Sequence, residues 1–300
     1  MSSKTKDKKQ KKSGKSAKGK HTGSGAPKSV KKKDRKLNAK NADRYDLYQR
    51  SVNSPETDVD FLTEVFEDLR GRPLRHLRED FCGTSLLSAE FLSRSPENTV
   101  EGADLDPEPM AWGQLRNFGK VEDGHSRMKF HLMDVRDRSD KRPDLTTAQN
   151  FSYFGFHDRA TLLSYFKAVH ADLADDGVFV MDHYGGPDSM VEMEEERDIE
   201  GAFTYVWDQK EYFPGSGEYK AAIHFDFRDG SRWENAFEYD WRLWFLTELK
   251  DVLIEAGFKE VRTYFEGTDP DDEEEGNGEF EFDPKGENVD AFIGYLVSLK

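Results

Sequence analysis

Apolar residues recur at helical spacing in two segments near residues 45–71. The stretches YDLYQRSV and DVDFLTEVFEDLRG carry apolar side chains three and four positions apart, and Gly71 follows the second stretch. This spacing predicts two amphipathic helices. From residue 74 the pattern changes to short apolar runs that alternate with helical segments.

The alternating region predicts five strands, which read LRHLRED, TVEGADLD, MKFHLMDV, DLTTAQNFSYF and GVFVMDHYGG. Helical segments follow the first, second and fourth of these strands. Such alternation is typical of βαβ units and predicts a mostly parallel sheet with helices on both faces. Ligands of such sheets bind beyond the carboxyl ends of the strands.

Residues 201–245 interrupt this alternation. They contain aromatic runs of period two, separated by the turn signals PGSG and DGS, and predict an antiparallel insertion after the fifth strand. The helix LTELKDVLIEAGF, the strand KEVRTYFEG and a last strand near AFIGYLVSL follow. We expect the acidic run DPDDEEEGNG between these two strands to form a solvated hairpin tip.

Charge divides the chain at residue 40. Residues 1–40 hold 16 Lys and Arg but only two Asp, with few large apolar groups, so we expect a disordered basic tail. Residues 41–300 hold 58 Asp and Glu against 28 Lys and Arg and predict one acidic domain. The tail is either a solubilising arm, which we favour, or a tether for nucleic acid. The acidic body could equally reflect life at high salt.

The single cysteine, Cys82, cannot form an intramolecular disulfide, and it favours a reducing, cytoplasmic compartment. The sequence has no apolar run long enough to cross a membrane and no secretory signal, so we expect no membrane association. The eight histidines are scattered and predict no metal site.

Acidic residues end three successive predicted strands. Glu79 and Gly83 lie at the end of the first strand, Asp104 ends the second and Asp134 ends the third. An acid about 20 residues beyond such a glycine is placed to bind ribose hydroxyls. Asp104 or Asp106 could instead cap the helix that begins at Pro107, and Asp134 could form a turn. Three acids in register favour a binding site at this edge of the sheet.

With these residues in order, the chain resembles the class I S-adenosylmethionine-dependent methyltransferases. The resemblance covers residues 42–300. The motifs EDFCGT, NFSYF and DWRLW resemble those of a bacterial subgroup of unassigned substrate. It implies a Rossmann-like α/β fold with seven strands, and S-adenosyl-L-methionine as cofactor. The usual loop of the family has three glycines, whereas this chain has Phe81, Gly83 and Ser85 at those places.

The resemblance also implies roles for individual residues. Glu79 would organise the loop, Asp104 would accept the ribose hydroxyls, Asp134 would face the adenine amino group, and Asn150 with Phe151 would lie under the methyl group. Together, the implied cofactor contacts are Glu79, Cys82, Gly83, Asp104, Leu105, Asp134, Val135, Asn150 and Phe151. Cys82 would pack beside the adenosine.

Methyl transfer from a sulfonium mainly requires alignment of the acceptor, so we assign no catalytic residue. The candidate acceptor contacts are Tyr45, Tyr48, His183, Tyr184 and Arg242. Arg242 lies between two tryptophans and either stacks structurally or binds a substrate carboxylate. His224 alternates with apolar residues, which favours a strand residue over a catalytic base. The aromatic insertion is expected to roof the pocket and to select a small acceptor.

The resulting hypothesis is a small-molecule N- or O-methyltransferase. One alternative is an RNA or protein methyltransferase that gathers its substrate with the basic tail. A second alternative is a binding protein that keeps the cofactor but has lost turnover, which the two missing glycines would explain.

Overall fold

The computed structural model describes residues 34–269 and 272–300. The helices are α1 (Arg44–Val52), α2 (Pro55–Arg70), α3 (Leu86–Arg94), α4 (Pro107–Arg116), α5 (Gly124–Arg127), α6 (Arg159–Asp172) and α7 (Leu246–Ala256). The strands are β1 (His76–Asp80), β2 (Thr99–Asp104), β3 (Met128–Leu132), β4 (Leu145–Ala148), β5 (Val178–Gly185), β6 (Met193–Ile199), β7 (Phe203–Phe213), β8 (Glu218–Phe227), β9 (Arg232–Arg242), β10 (Glu260–Asp269), β11 (Asp272–Phe282) and β12 (Phe292–Leu299).

The main sheet has the strand order β11-β10-β12-β5-β4-β1-β2-β3. Strands β1 to β5 are parallel, and β12, β10 and β11 add to them in antiparallel pairs. Val178 and Val180 pack with residues of α2 and α3, whereas Phe179 and Met181 pack with α6 and α7. Because side chains alternate along a strand, these helices cover opposite faces of the sheet. The predicted α/β fold with helices on both faces is confirmed.

The prediction of seven strands is wrong, because the main sheet has eight. The extra strand is β11, which includes most of the acidic run that we expected to form a hairpin tip. It pairs with β10 through irregular register, with shifts between Glu266 and Asp269. Repeated charges and glycines hide a strand from a pattern search, yet an edge strand can carry them because its outer side faces water.

The antiparallel insertion forms a separate sheet of order β6-β7-β8-β9. It begins at Met193 rather than at residue 201, so the predicted insertion 201–245 lacks its first strand. Strand β6 reads MEEERDI and lies at the sheet edge with five of its seven residues exposed. Because its five central residues are all exposed, β6 has no alternation of apolar and polar residues, and the sequence pattern could not reveal it.

Most of the predicted basic tail, residues 1–33, lies outside the described residues. Residues 34–40, which we assigned to that tail, contact the folded body. Asp34 is buried and pairs with Arg50 at 3.2 Å, and the backbone N–H of Ala39 donates to the Ser231 hydroxyl at 3.1 Å. Within the described part of the chain, no helix is both long and apolar enough to cross a membrane.

Buried polar residues on one face of the sheet hold the loop after β3. Arg78 donates to Asp80, Asp172 and the carbonyl oxygen of Val135 at 2.7, 3.0 and 2.8 Å. The Glu101 carboxylate accepts the backbone N–H groups of residues 140 and 141 at 2.8 and 3.0 Å. Burial alone would raise the pKa of Glu101, but these bonds and the adjacent His76 and His131 lower it to about 2.

We predict that Glu101→Gln lowers the free energy of unfolding at pH 7 by about 2 kcal/mol, since the amide replaces a buried charged acceptor. The Glu101 pKa is lower in the folded state. Its contribution is therefore complete above the unfolded value of about 4.3 and is lost as the pH falls towards 2. Urea unfolding at several pH values between 7 and 3 should show that the difference in free energy of unfolding between the wild type and Glu101→Gln becomes smaller as the pH falls. Glu64→Gln, on the exposed side of α2, is the matched control. Equal losses at every pH would contradict the prediction.

Candidate functional site

A cleft of about 580 Å³ lies at the carboxyl ends of β1, β2 and β4. Helix α1 and the first turn of α2 form one side, and residues 235–241 of β9 form another. The structure brings together seven of the predicted site residues in its lining, and these are Tyr45, Tyr48, Glu79, Cys82, Gly83, Asp104 and Asn150.

Glu79 connects the first strand to the helix that follows the loop. Its carboxyl group accepts the backbone N–H of Ser88 at 3.1 Å and also the Ser88 hydroxyl. Burial raises the pKa of Glu79 to about 8, although the bonds from Ser88 oppose this rise. The negative charges of Asp104 and Asp58 raise the pKa of Glu79 further. Glu79 therefore fixes the start of α3 against the floor of the cleft.

The loop between β1 and α3 takes left-handed backbone conformations at three positions. Phe81, Gly83 and Ser85 have φ values of 55°, 47° and 52°. These are the places where the usual loop of the methyltransferases that the sequence resembles has glycine, and a left-handed conformation costs an L residue about 1–2 kcal/mol. The backbone shape of a glycine-rich loop is thus present here with two side chains added. The Phe81 ring is accommodated against Phe156 and Tyr165, with centroids 5.8 and 5.7 Å away.

Asp104 ends β2 as predicted and ties that strand to the loop. Its carboxylate accepts the backbone N–H of Gly83 at 2.7 Å and that of Asp106 at 2.9 Å. Asp106 in turn caps α4, because its side chain accepts the N–H of Glu108. Asp104 is therefore held at the cleft wall by two backbone bonds. Of the two predicted capping residues, Asp106 caps α4.

The loop after β4 contains a second pair of left-handed residues, Asn150 and Phe151, with φ values of 57° and 54°. The carboxyl group of Asp182 on β5 accepts their two backbone N–H groups at 2.6 and 2.9 Å. Burial raises the pKa of Asp182 to about 8. The side chain of Asn53, just beyond α1, donates to the Asn150 amide oxygen at 3.2 Å. Asp182 thus determines where Asn150 meets the cleft.

Aromatic side chains join α1 to the insertion across the cleft. The ring of Phe237 lies 6.3 Å from that of Tyr45 and 4.9 Å from that of Tyr48. Tyr239 and Trp241 continue this wall along β9. Burial raises the pKa of Tyr48 to about 12, so its hydroxyl keeps its proton. The predicted roof is therefore one strand of the insertion packed on α1.

The described lining of the cleft is acidic. Asp58, Glu79, Asp104, Asp106 and Glu238 contribute carboxyl groups, and the guanidinium of Arg44 is the single basic group among the described lining residues. That guanidinium is already paired with Glu108 at 3.1 Å. Burial raises the pKa of Asp58 to about 6, against the hydrogen bond from the Tyr295 hydroxyl. Such a lining favours cations and disfavours phosphates.

Comparison with known proteins places this geometry in a known fold. No family model and no curated protein matches the chain. Solved structures match over most of its length. An S-adenosylmethionine-dependent methyltransferase from Clostridium acetobutylicum is 18% identical, with a TM-score of 0.62 over 85% of this chain and 97% of its own. The chain has a methyltransferase fold.

Two further solved methyltransferases have the same fold. CalS10, an amino pentose methyltransferase from Micromonospora echinaspora, is 17% identical with a TM-score of 0.61, over 86% of this chain and 97% of its own. KedS8, a sugar N-methyltransferase from Streptoalloteichus, is 18% identical with a TM-score of 0.58, over 94% and 99%. At such low sequence identities, the similarity between these proteins and this chain shows a shared fold.

Four predicted cofactor residues are not among the described residues that line the cleft, and three of them follow the ends of β2 and β3. Asp134 lies two residues beyond the end of β3 and pairs with Arg136 at 2.6 Å. That pair lowers the pKa of Asp134. Leu105 is 69% exposed beside the cleft, and Val135 is buried in the main core. The alternation of βαβ units gave their order along the sheet edge but not their distance from the cleft.

Four other predicted residues lie behind the cleft wall or away from it. Phe151 packs on Tyr184, with centroids 4.8 Å apart. His183 is buried 2.9 Å from the Tyr153 hydroxyl, and burial lowers its pKa to about 3. Arg242 lies 3.6 Å over the ring of Trp244 and pairs with Glu248, so the stacking alternative is the one that the structure contains.

Sequence reasoning missed several residues that form the cleft. Asp58, in the first turn of α2, lines the cleft. Asp182 of β5 binds the backbone of the loop after β4. A signal existed for Asp182, because an acid within the apolar run VFVMDHY must have a buried partner. Asn235, Phe237 and Tyr239 come from β9, and no local signal separates them from other residues of a half-buried strand.

We predict that Ser85→Gly raises the free energy of unfolding by about 1 kcal/mol, because glycine adopts φ near 52° without strain. Ser93→Gly is the control, since Ser93 lies in right-handed backbone on the exposed side of α3. The free energy of unfolding of Ser93→Gly should fall by up to about 1 kcal/mol. Thermal and urea unfolding measure both. A loss in both variants would show that the loop conformation is not strained at Ser85.

Proposed function

We propose that this chain is an S-adenosylmethionine-dependent methyltransferase that methylates a small-molecule amine. The observation that carries the proposal is the acidic, aromatic cleft at the strand ends of a methyltransferase fold. Its position follows the rule for ligands of open α/β sheets. Its acidic and aromatic lining narrows the class of ligand that fits.

The residues of the cleft fit the cofactor. A Cβ atom built on Gly83 would meet only the main-chain oxygen of Phe81, at 4.0 Å, so the backbone here leaves room for a ligand. Asp104 presents carboxylate oxygens that can accept ribose hydroxyls. A dinucleotide would require space and positive charge for a pyrophosphate, whereas the described lining holds five carboxyl groups. A sulfonium cofactor, which carries no phosphate, suits the lining better.

When bound, this cofactor supplies an electrophilic methyl group on a positively charged sulfur. The chain's own residues then have three tasks, which are to hold positive charge, to orient the acceptor and to exclude water. Asp58 and Asp104 place carboxyl groups at the cleft, and Asn150 presents its side chain from a turn whose backbone N–H groups bind Asp182. Tyr45, Tyr48 and Phe237 close one side against solvent.

The lining favours an amine over a hydroxyl acceptor. Carboxylates attract an ammonium group, and aromatic faces stabilise it through cation–π interactions. The cleft combines both, with six aromatic residues that are Tyr45, Tyr48, Phe81, Phe237, Tyr239 and Trp241. CalS10 and KedS8 act on an amino pentose and on a sugar nitrogen, which agrees with this choice. The amine must lose its proton before it can accept the methyl group.

Isothermal titration with S-adenosylmethionine and with its demethylated product tests the cofactor. We expect binding by the wild type and roughly tenfold weaker binding by Asp104→Asn, which keeps an acceptor for the Gly83 N–H but loses the charge. Asp68→Asn, on an exposed position of α2, should bind as the wild type does. No heat with either compound, in folded protein, would refute the cofactor assignment.

Matched acceptors test the second half of the proposal. Amino pentoses and amino hexoses are offered beside the same sugars with a hydroxyl in place of the amine, with radiolabelled cofactor as methyl donor. We expect transfer to amines alone, with a rate that rises with pH through the acceptor's own pKa. Preference for the hydroxyl sugars would refute the amine assignment and leave the cofactor assignment intact. Cofactor binding without turnover on any acceptor would favour a binding protein.

A further inference from the structure

His224 lies in β8 and is 1% exposed, and its two ring nitrogens have different partners. Nδ1 accepts the backbone N–H of Asn235 at 2.8 Å, and Nε2 lies 3.2 Å from a carboxylate oxygen of Asp208. A backbone N–H can only donate, so Nδ1 must present its lone pair. The ring proton is therefore on Nε2, which donates to Asp208. This hydrogen-bond pattern specifies one neutral tautomer.

The partner of Nδ1 is an unusual point in β9. Asn235 is a non-glycine residue in left-handed backbone, with φ of 49°. The pairing of β8 with β9 passes from Ile223 with Phe237 to Phe225 with Trp233, so His224 alone faces residues 234–236. This is a β-bulge, which re-aims side chains and leaves backbone groups without ladder partners. The His224 ring supplies the missing acceptor for one of them.

The bulge forms part of the cleft. Asn235, Ala236 and Phe237 line it, and the ring of Phe237 contacts both Tyr45 and Tyr48. The side-chain oxygen of Asn235 accepts Lys210 Nζ at 2.8 Å from β7. A change at His224 Nδ1 therefore reaches the wall opposite α1 through a single hydrogen bond.

We infer that His224 is a positioning residue for the methyl acceptor, because its neutral Nε2–H form fixes the bulge that presents Asn235, Ala236 and Phe237 to the cleft. The inference rests on the proposed function for its effect on turnover. In this role His224 is neither a catalytic base nor a metal ligand. Glu194, Asp208 and His224 lie close enough to hold a metal ion, but the proton on Nε2 occupies the lone pair that a metal would need.

Two substitutions separate the two nitrogens. Asn can place an amide oxygen near the position of Nδ1, whereas Gln can place an amide N–H near that of Nε2. We expect His224→Asn to keep the slow hydrogen exchange of backbone amides 235–237, and His224→Gln to speed it by at least tenfold. With the amine that the acceptor panel identifies, His224→Gln should raise KM about tenfold at unchanged cofactor affinity. Equal behaviour of the two variants would overturn the inference.

Asp208→Asn tests the Nε2 side of the ring. The amide oxygen of Asn can still accept the Nε2–H, so KM for the amine should stay within about twofold of the wild type, whereas His224→Gln raises it. A rise in KM as large as that of His224→Gln would overturn the inference.

Nitrogen NMR of the histidine ring decides the tautomer without any substrate. A proton on Nε2 and a lone pair on Nδ1 in the wild type is the expected result, and the reverse would overturn the inference. If the wild type shows the expected tautomer and exchange pattern but neither binds the cofactor nor transfers methyl groups, the proposed function fails while the support of the bulge by His224 stands.

Discussion

The site depends on carboxyl groups that accept backbone N–H groups from strand-end loops. Glu79 binds Ser88, Asp104 binds Gly83, and Asp182 binds Asn150 and Phe151. These hydrogen bonds hold two loops in which several residues adopt left-handed backbone conformations. Such conformations cost energy when nothing else supports them. Burying acids is itself unfavourable, as the raised pKa values of Glu79 and Asp182 show. Together these bonds keep the cleft open at the sheet edge.

Two sheets with different tasks meet at this cleft. The parallel strands supply its floor, because their carboxyl ends bring Glu79, Asp104 and Asn150 to one edge. The antiparallel insertion supplies a wall, because Phe237 beside the bulge in β9 packs on Tyr45 and Tyr48 of α1. The floor is acidic and the wall is aromatic, and this combination suits a positively charged ligand. The opposite face of the main sheet is used differently, since Arg78 and Glu101 there bind the loop after β3.

Much of the fold could be predicted from periodicity. The alternating runs gave β1 to β5 in order, and the aromatic runs of period two gave the strands β7 to β9. Strands β6 and β11 were missed because both are edge strands rich in charge, which have little apolar pattern to detect. The predicted fourth strand was too long, since β4 ends at Ala148 and left-handed residues follow it. The residues QNFSYF give no local signal for the turn at Asn150 and Phe151, because that turn depends on hydrogen bonds to Asp182 from another strand.

The sequence by itself determined which strand ends carry acids, and so it placed Glu79, Gly83 and Asp104 at one edge of a parallel sheet. That inference needs only the direction of the strands and their order. Tertiary structure decided which of the predicted residues line the cleft, because Asp134 pairs locally with Arg136 and Arg242 stacks on Trp244. It also brought β9 opposite α1. The contacts between β9 and α1 join residues nearly 200 positions apart, and a local pattern of apolar and polar residues carries no information about them.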